Sequence, residues 1–418
     1  MLYTLKKISL YALASFVILR CGSGICPMGG CKVSAVSCAS SYGYTEPTGV
    51  LDTSFNSTGI LSITPAAGSN WTQESVYLTS DCKILMGIAS STAARSYIYK
   101  VNTDGTLDAT FGTNGILLAD TQIGGTFILK PNGKFVVISN TGNTYKFTQF
   151  SANGVLDSSF SPPTITFPAY NVLGRTGVLA DGSFLIMFDQ RYVYKFDATG
   201  NLDTTFATAG LLTTGLTTTG VYQRSGLRVD SSNRILVGGN DGTNFKMQRY
   251  SSSGVLDTTF GTAGSVTTAV SGAATSHIAD IRILSSGKIL AGGFDSTGAA
   301  AGFAFARYDA NGNIDTTFGT AGSYAMGGGF NRHTWYGTNL QVDATSGKFY
   351  MACIDGGWSN STLVRFNANG GVDTTFATAG YFARTDAPGD TTTLLVTPWG
   401  KLVMVGGNTT IIRAFMVK

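Results

Sequence analysis

The residues that could do chemistry are few. Only two histidines, His277 and His333, occur in 418 residues, so a multi-histidine metal centre lacks its ligands. No Gly-x-Ser-x-Gly elbow stands out, and no phosphate-cradling loop ends in Lys-Ser/Thr. The remaining acid–base material is carboxylate: Asp120, Asp189, Asp241, Asp295 and Asp355 fall in or near variable stretches, where an acid pair of the glycosidase kind is the one arrangement open to them. Four of the six cysteines, Cys21, Cys26, Cys31 and Cys38, crowd one short stretch without a nearby histidine, and Cys82 and Cys353 lie apart. Their spacing lacks the close pairs of a zinc site and suits a tether with local disulfides in an oxidising compartment.

One acid recurs. It stands at Asp52, Asp108, Asp157, Asp203, Asp257, Asp315 and Asp373, usually inside Leu-Asp-Thr-Thr-Phe or a close variant. A basic residue precedes it by eight positions in Lys100/Asp108, Lys195/Asp203, Arg249/Asp257, Arg307/Asp315 and Arg365/Asp373, and Gln149/Asp157 is the uncharged version. We read these pairs as a structural clip in which a strand cation folds back on a linker carboxylate, a charge-assisted bond worth roughly 1.5–3 kcal/mol. Calcium is the rival reading of Asp309-Ala-Asn311-Gly-Asn-Ile-Asp315. The equivalent Ser251, Ser253, Asn367 and Asn369 are poor ligands for a hard dication, and a turn with glycine at positive φ explains them better. Asp52 has no base eight positions before it, and Arg413, near the C-terminus, has no acid after it. The expectation is that the segment around Asp52 docks on the last repeat, with Asp52 meeting Arg413.

The elements that must position these residues follow from the repeat. Midway in each unit a polar-Gly-Lys turn, as in Ser286-Gly-Lys288, opens a β-branched run. Each unit divides into four short strands; in the fifth these are Ser265–Ala269, Ile278–Leu284, Lys288–Gly292 and Gly302–Tyr308. A lone four-stranded sheet cannot bury both faces, so like sheets must stack around an axis. The expected fold is all-β, a seven-bladed β-propeller of four-stranded antiparallel blades, with the phenylalanine after each recurrent Asp wedged between blades. The composition agrees: 43% hydrophobic residues exclude disorder, and 12% charged residues with 54 glycines exclude a soluble helical bundle.

The repeated Gly-x-Leu-Asp-Thr-Thr-Phe-Gly-Thr-x-Gly, with its Gly-Lys-Ile-Leu partner, resembles the delta-60 repeat family of bacterial exported propellers across about residues 46–418. Ser161-Pro162-Pro163 departs from the pattern. The resemblance implies a propeller fold and export, and no reaction.

The first residues support export. Lys6 and Lys7 precede the apolar run Ile8–Leu19, which is too short to span a hydrocarbon core as a helix. We read 1–20 as a signal peptide, 21–43 as a Cys/Gly/Ser-rich tether and 44–418 as the propeller. Cys21 directly after the apolar run fits lipidation, although Arg20 departs from a lipobox; plain secretion is the alternative. The localisation expected is the outer-membrane surface through a lipid anchor, or the medium. The chain that remains is nearly neutral, which excludes a nucleic-acid footprint.

Alternating strand directions sort the connections onto two faces. The near-identical turns and Asp linkers share one. The variable loops share the other, and loops that vary on a rigid scaffold carry recognition. Trp71, Arg175, Tyr222, Arg224, His333, Trp335, Tyr336 and Trp358 are the ligand-binding candidates there, suited to a protein or glycan through stacking and cation–π contact. The function expected is a non-enzymatic binding or scaffold module, acting as a monomer without cofactor. A propeller hydrolase or lyase with a carboxylate-lined axial pocket, and a purely structural envelope protein, are the alternatives.

Overall fold

The polar-Gly-Lys turns set the strand order. Gly133, Gly287, Gly347 and Gly400 hold φ near +80° (80°, 79°, 72° and 84°), a conformation that reverses the chain between two adjacent strands. The runs on either side are apolar, β-branched or aromatic, and they bury. Ile289–Asp295 and Phe184–Phe188 are examples in which nearly every side chain is enclosed. In the computed structural model, residues 38, 41–64, 71–90, 95–119, 126–168, 173–217, 225–295, 302–326, 340–354, 361–384, 393–407 and 412–418 are described.

These strands form seven four-stranded sheets, each antiparallel, and the chain is a seven-bladed propeller. Six blades use consecutive strands: blade 1 (71–119), blade 2 (127–166), blade 3 (173–213), blade 4 (226–268), blade 5 (276–326) and blade 6 (341–384). Blade 7 takes three strands from 393–417 and its outer strand, Ile60–Ile63, from the other end of the chain. Ile60 pairs with Phe415 and Ile63 with Ile412. Among the described residues no helix is long and apolar enough to cross a membrane.

The strand division expected from the repeat is out of phase with the blades by one strand. Ser265–Thr268, read as opening the fifth unit, is the outer strand of blade 4, paired with Phe245–Tyr250. The Asp linker therefore joins the third and outer strands of one blade and does not lie between blades. A repeat has the same period wherever it is cut, and only hydrogen-bond pairing sets the phase. The assignment of faces survives, because shifting the cut by a strand leaves the turns and Asp linkers on the same side.

The linker phenylalanine is nonetheless the inter-blade wedge. Phe318 is fully buried in a cluster that joins Phe303 and Phe305 of blade 5 to Leu340, Phe349 and Phe366 of blade 6. Phe55, Phe111, Phe206, Phe260 and Phe376 are equally enclosed. Burying one such ring contributes roughly 1.5–3 kcal/mol.

The N-terminal cysteines are not all paired locally. Cys38 forms a disulfide with Cys82, 44 residues away. Cys82 occupies the blade 1 turn position that is glycine in most blades, and it holds φ at 65°. Residues 38 and 41–43, assigned to the tether from sequence, thus include a covalent anchor to blade 1, and Tyr42 packs 4.9 Å from the Trp399 ring. Cys38→Ser is expected to lower unfolding stability by roughly 2–4 kcal/mol. Cys82→Gly in the same chain should return about 1 kcal/mol by relieving the left-handed cysteine. Denaturant titration of the three proteins checks both, and equal midpoints would contradict the anchor.

Candidate functional site

The turn face is built from one ionic unit. Arg249 Nε lies 2.7 Å from Asp257 Oδ2, Arg307 Nε 2.7 Å from Asp315 Oδ2, and Arg365 Nε 2.8 Å from Asp373 Oδ2. Lys195 and Asp203 are 3.0 Å apart, and Lys100 and Asp108 3.7 Å. Each acid is also capped by the hydroxyl two residues on, as in Thr259 Oγ1 to Asp257 Oδ1 at 2.5 Å. The arginine then reaches past its own blade. Arg249 Nη1 donates to the Ala310 carbonyl of blade 5 and Arg307 Nη1 to the Ala368 carbonyl of blade 6, both at 2.6 Å. Its guanidinium covers the wedge ring, 4.6 Å from Phe260 and 4.9 Å from Phe318. One side chain thereby joins an acid of its own blade, the wedge ring and a carbonyl of the next blade.

Sequence reasoning missed a second cation in this unit. The turn lysine, read only as the start of a strand, also meets the acid: Lys83–Asp108 at 2.8 Å, Lys134–Asp157 at 2.7 Å, Lys288–Asp315 at 2.7 Å and Lys348–Asp373 at 2.8 Å. Its recurrence at a fixed place in the turn motif was the available signal. In blade 2, where Gln149 replaces the cation, Lys130 supplies the charge from the inner strand region. Its Nζ lies 2.7 Å from both Gln149 Oε1 and the Ala198 carbonyl of blade 3. Burial, with the neighbouring Lys134, pushes Lys130 down to about 8.

These acids are held ionised. Burial works against Asp108 and Asp373, but hydrogen bonds from Lys83 and Thr110, and from Lys348 and Thr375, keep both at about 2. Asp315 is lowered further: burial opposes, and Lys288, Thr317 and Arg307 prevail. A carboxylate whose folded value lies below its unfolded value adds stability above the unfolded value and loses it as pH falls towards the folded one. The melting temperature should be flat from neutral pH to about pH 5 and fall between about pH 4 and 2. Asp373→Asn should flatten part of that fall in scanning calorimetry. A melting temperature constant down to pH 2 would contradict the clip.

The described partners of Asp52 are other than the expected Arg413, whose side chain lies outside the described residues. Asp52 is bound by Lys401 Nζ, the turn lysine of blade 7, and Lys418 Nζ lies 4.0 Å from its other oxygen. The backbone explains the difference. The Asp373 amide donates to the Arg365 carbonyl and the Asp52 amide to the Met416 carbonyl, both at 2.9 Å. Met416, and not Arg413, therefore stands in the cation position. Arg413 lies three residues earlier, opposite Ser62 and Gly406.

Of the loop-face candidates, Arg175 is not on a loop. It lies in the inner strand of blade 3, Leu173–Val178, and is 2% exposed. It crosses blade 4 to donate to the Ala279 carbonyl of blade 5 at 3.2 Å. Beside it Arg228 binds Asp280, and Arg282 Nη2 is 3.4 Å from the same carboxylate. Burial alone would raise Asp280, yet the guanidiniums of Arg228, Arg282 and Arg175 hold it low. Sequence reasoning passed over these residues, although charges inside Ile278-Ala-Asp-Ile-Arg-Ile283 were a visible signal.

Trp71 begins the inner strand of blade 1, paired with Ser90. Tyr222, Arg224, His333, Trp335, Tyr336 and Trp358 lie outside the described residues, as does Cys21. His277 is buried. Among the described residues no group of three or more His, Cys, Asp or Glu is arranged to hold a metal ion.

A family described as a domain of unknown function (DUF5122) β-propeller matches four stretches: 84–111, 231–260, 284–318 and 346–376. Each starts at the second strand of a blade or in the turn before it and ends at the wedge phenylalanine, so the match falls on the ionic unit. The chain is similar in structure to the Nup133 β-propeller domain of Vanderwaltozyma polyspora, with 9% identity over 86% of this chain and 100% of that one, and a TM-score of 0.49. Hydrazine synthase of Kuenenia stuttgartiensis gives 9% identity over 79% and 92%, with a TM-score of 0.49. The PQQ-bound aldose sugar dehydrogenase of Streptomyces coelicolor gives 11% over 85% and 98%, with a TM-score of 0.41. The sequence matches none of the curated proteins. Identities this low leave activity unaddressed.

Proposed function

We propose that the protein is an exported propeller that binds a protein or glycan through its variable-loop face and catalyses no reaction. The observation that supports this most is the difference between the two faces. On the turn face the recurrent carboxylates are engaged by lysine and arginine and held ionised, which unsuits these acids to donate a proton near neutral pH. On the axis, the described carboxylate Asp280 is likewise ionised among arginines, the opposite of a general acid with a raised value. The connections on the other face vary from the short turn at 142–143 to the long stretch 327–339, which carries Arg332, His333, Trp335 and Tyr336. Aromatic and arginine residues on variable loops suit recognition.

The reading includes export, with either lipidation at Cys21 or release after signal cleavage, and kinship with the delta-60 repeat propellers. Binding to a glycan array and to outer-surface extracts tests the recognition. Trp335→Ala with Tyr336→Ala should weaken binding at least about tenfold, the loss of two well-placed aromatic contacts, with the melting temperature unchanged. Unchanged binding would move recognition off this face, and turnover of any glycan would overturn the non-enzymatic reading.

A further inference from the structure

The repeat shows six times what fills the space beside each linker acid, and the seventh blade fills it differently. In blades 4, 5 and 6 that space holds an arginine. Its guanidinium meets the acid, the hydroxyl two residues on, the wedge ring and a carbonyl in the next blade's turn. For Arg365 these partners are Asp373 at 2.8 Å, Thr375 Oγ1 at 3.0 Å, Phe376 at 4.7 Å and the Pro47 carbonyl. Blades 1 and 3 use Lys100 and Lys195, which reach the Ala152 and Ser252 carbonyls at 3.4 and 3.2 Å, and blade 2 uses Lys130.

In blade 7 the position belongs to Met416, whose side chain carries no charge and no donor. The rest of the cradle is kept. Asp52 accepts from Ser54 Oγ at 2.7 Å, as the other acids do from their hydroxyls. Phe55 is the buried wedge, and the Asn56 amide donates to the Asp104 carbonyl of the blade 1 turn at 2.6 Å. A cavity of about 400 Å3 lies here, lined among others by Asp52, Ser54, Asp104, Trp399, Met416 and Lys401, the lysine already on Asp52. Tyr42, another lining residue, is about half exposed at 51%, and its ring lies tilted 4.9 Å from that of Trp399.

We propose that this seam cavity binds a guanidinium group on an aliphatic arm, an arginine side chain presented by another molecule. The guanidinium takes the place that Arg249, Arg307 and Arg365 hold in their own blades. It bonds to Asp52 and Ser54, with the Thr103 carbonyl and the Asp104 carboxylate on the far side and the aromatic pair covering its arm. Lys401 on Asp52 is no obstacle. In blades 5 and 6 a lysine and an arginine share one carboxylate, at 2.7 and 2.7 Å on Asp315 and at 2.8 and 2.8 Å on Asp373. Lys418, half exposed and 4.0 Å from Asp52, approaches from the C-terminal end and is not among the lining residues. Planar fork geometry favours guanidinium over ammonium, because in the other blades its three nitrogens bond the carboxylate, the neighbouring hydroxyl and a carbonyl together.

The test titrates the full-length protein with Nα-acetylarginine amide and with its uncharged isostere, Nα-acetylcitrulline amide, by calorimetry. Arginine amide should bind at least about tenfold more tightly than citrulline amide, the difference a charge-assisted bond makes. Asp104→Asn should weaken the arginine compound severalfold. Met416→Arg should supply the group from within the chain, abolishing the binding and raising the melting temperature. Equal uptake of the two amides, or of neither, overturns the proposal, as does a folded Met416→Arg protein that still binds the arginine compound. If Met416→Arg does not fold, the arginine–citrulline contrast and Asp104→Asn decide alone. This cavity is on the turn face, so the result stands apart from that of the Trp335 and Tyr336 substitutions.

Discussion

Phe55→Ala is expected to destabilise the protein by about 3–5 kcal/mol, the cost of truncating a fully buried phenylalanine, and to open the ring at one place. Phe55 is 0% exposed and packs into a cluster that joins Val76, Met86 and Tyr99 of blade 1 to Leu395, Val403 and Met416 of blade 7. Its own segment is held to the last blade by the Asp52 amide on the Met416 carbonyl and by Gly49 and Val50 amides on the Lys418 carbonyl. The turn that should follow the third strand of blade 7 is in fact assembled from both chain ends. Gly49 bonds Lys418 there as Gly370 bonds Asn367 in blade 6. The distinguishing comparison is Phe318→Ala. That ring is equally buried, but blades 5 and 6 remain joined by the chain. Hydrogen exchange at Ile60–Ile63 and Ile412–Val417 should accelerate strongly in Phe55→Ala and little in Phe318→Ala. A cost under about 1 kcal/mol, or equal exchange in the two, would show that the seam does not close the ring.

Asp280→Ala carries the other large effect, again about 3–5 kcal/mol, because removing one partner of a buried ion group strands the others. Asp280 is fully buried, and Arg228, Arg282 and Arg175 surround it from three blades. The direct pair between blades in this group joins Arg228 of blade 4 to Asp280 of blade 5. Arg228→Met in the Asp280→Ala background should recover part of the loss, since it removes one of the charges left unanswered. Denaturant midpoints of the four proteins complete the cycle. If Asp280→Ala were neutral, the axial group would be incidental to the joining of these blades.

Much of this was written in the chain itself. The recurrent Asp, the phenylalanine three residues after it and the base eight before it announced a blade, its wedge and its clip. A short-range pattern repeated seven times leaves few ways to bury a four-stranded sheet. What the pattern left open was everything that depends on pairing between distant segments. The phase of the blades turned on Ser265–Thr268 joining blade 4, which the repeat period cannot specify. The partner of Asp52 turned on register: Met416 takes the clip position, and Arg413 is three residues out. Cys38 found Cys82 across 44 residues, where spacing pointed to local bonds. Arg175, assigned to a loop surface, lies in the inner strand of blade 3 and bonds the Ala279 carbonyl of blade 5, a contact between residues 104 apart in the chain. Local chemistry sets the unit because its contacts lie within one turn or hairpin. Closure and the seam cavity arise only when the first and last blades meet, and the axial ion group only when blades 3, 4 and 5 pack together; no short stretch of chain contains all sides of those contacts.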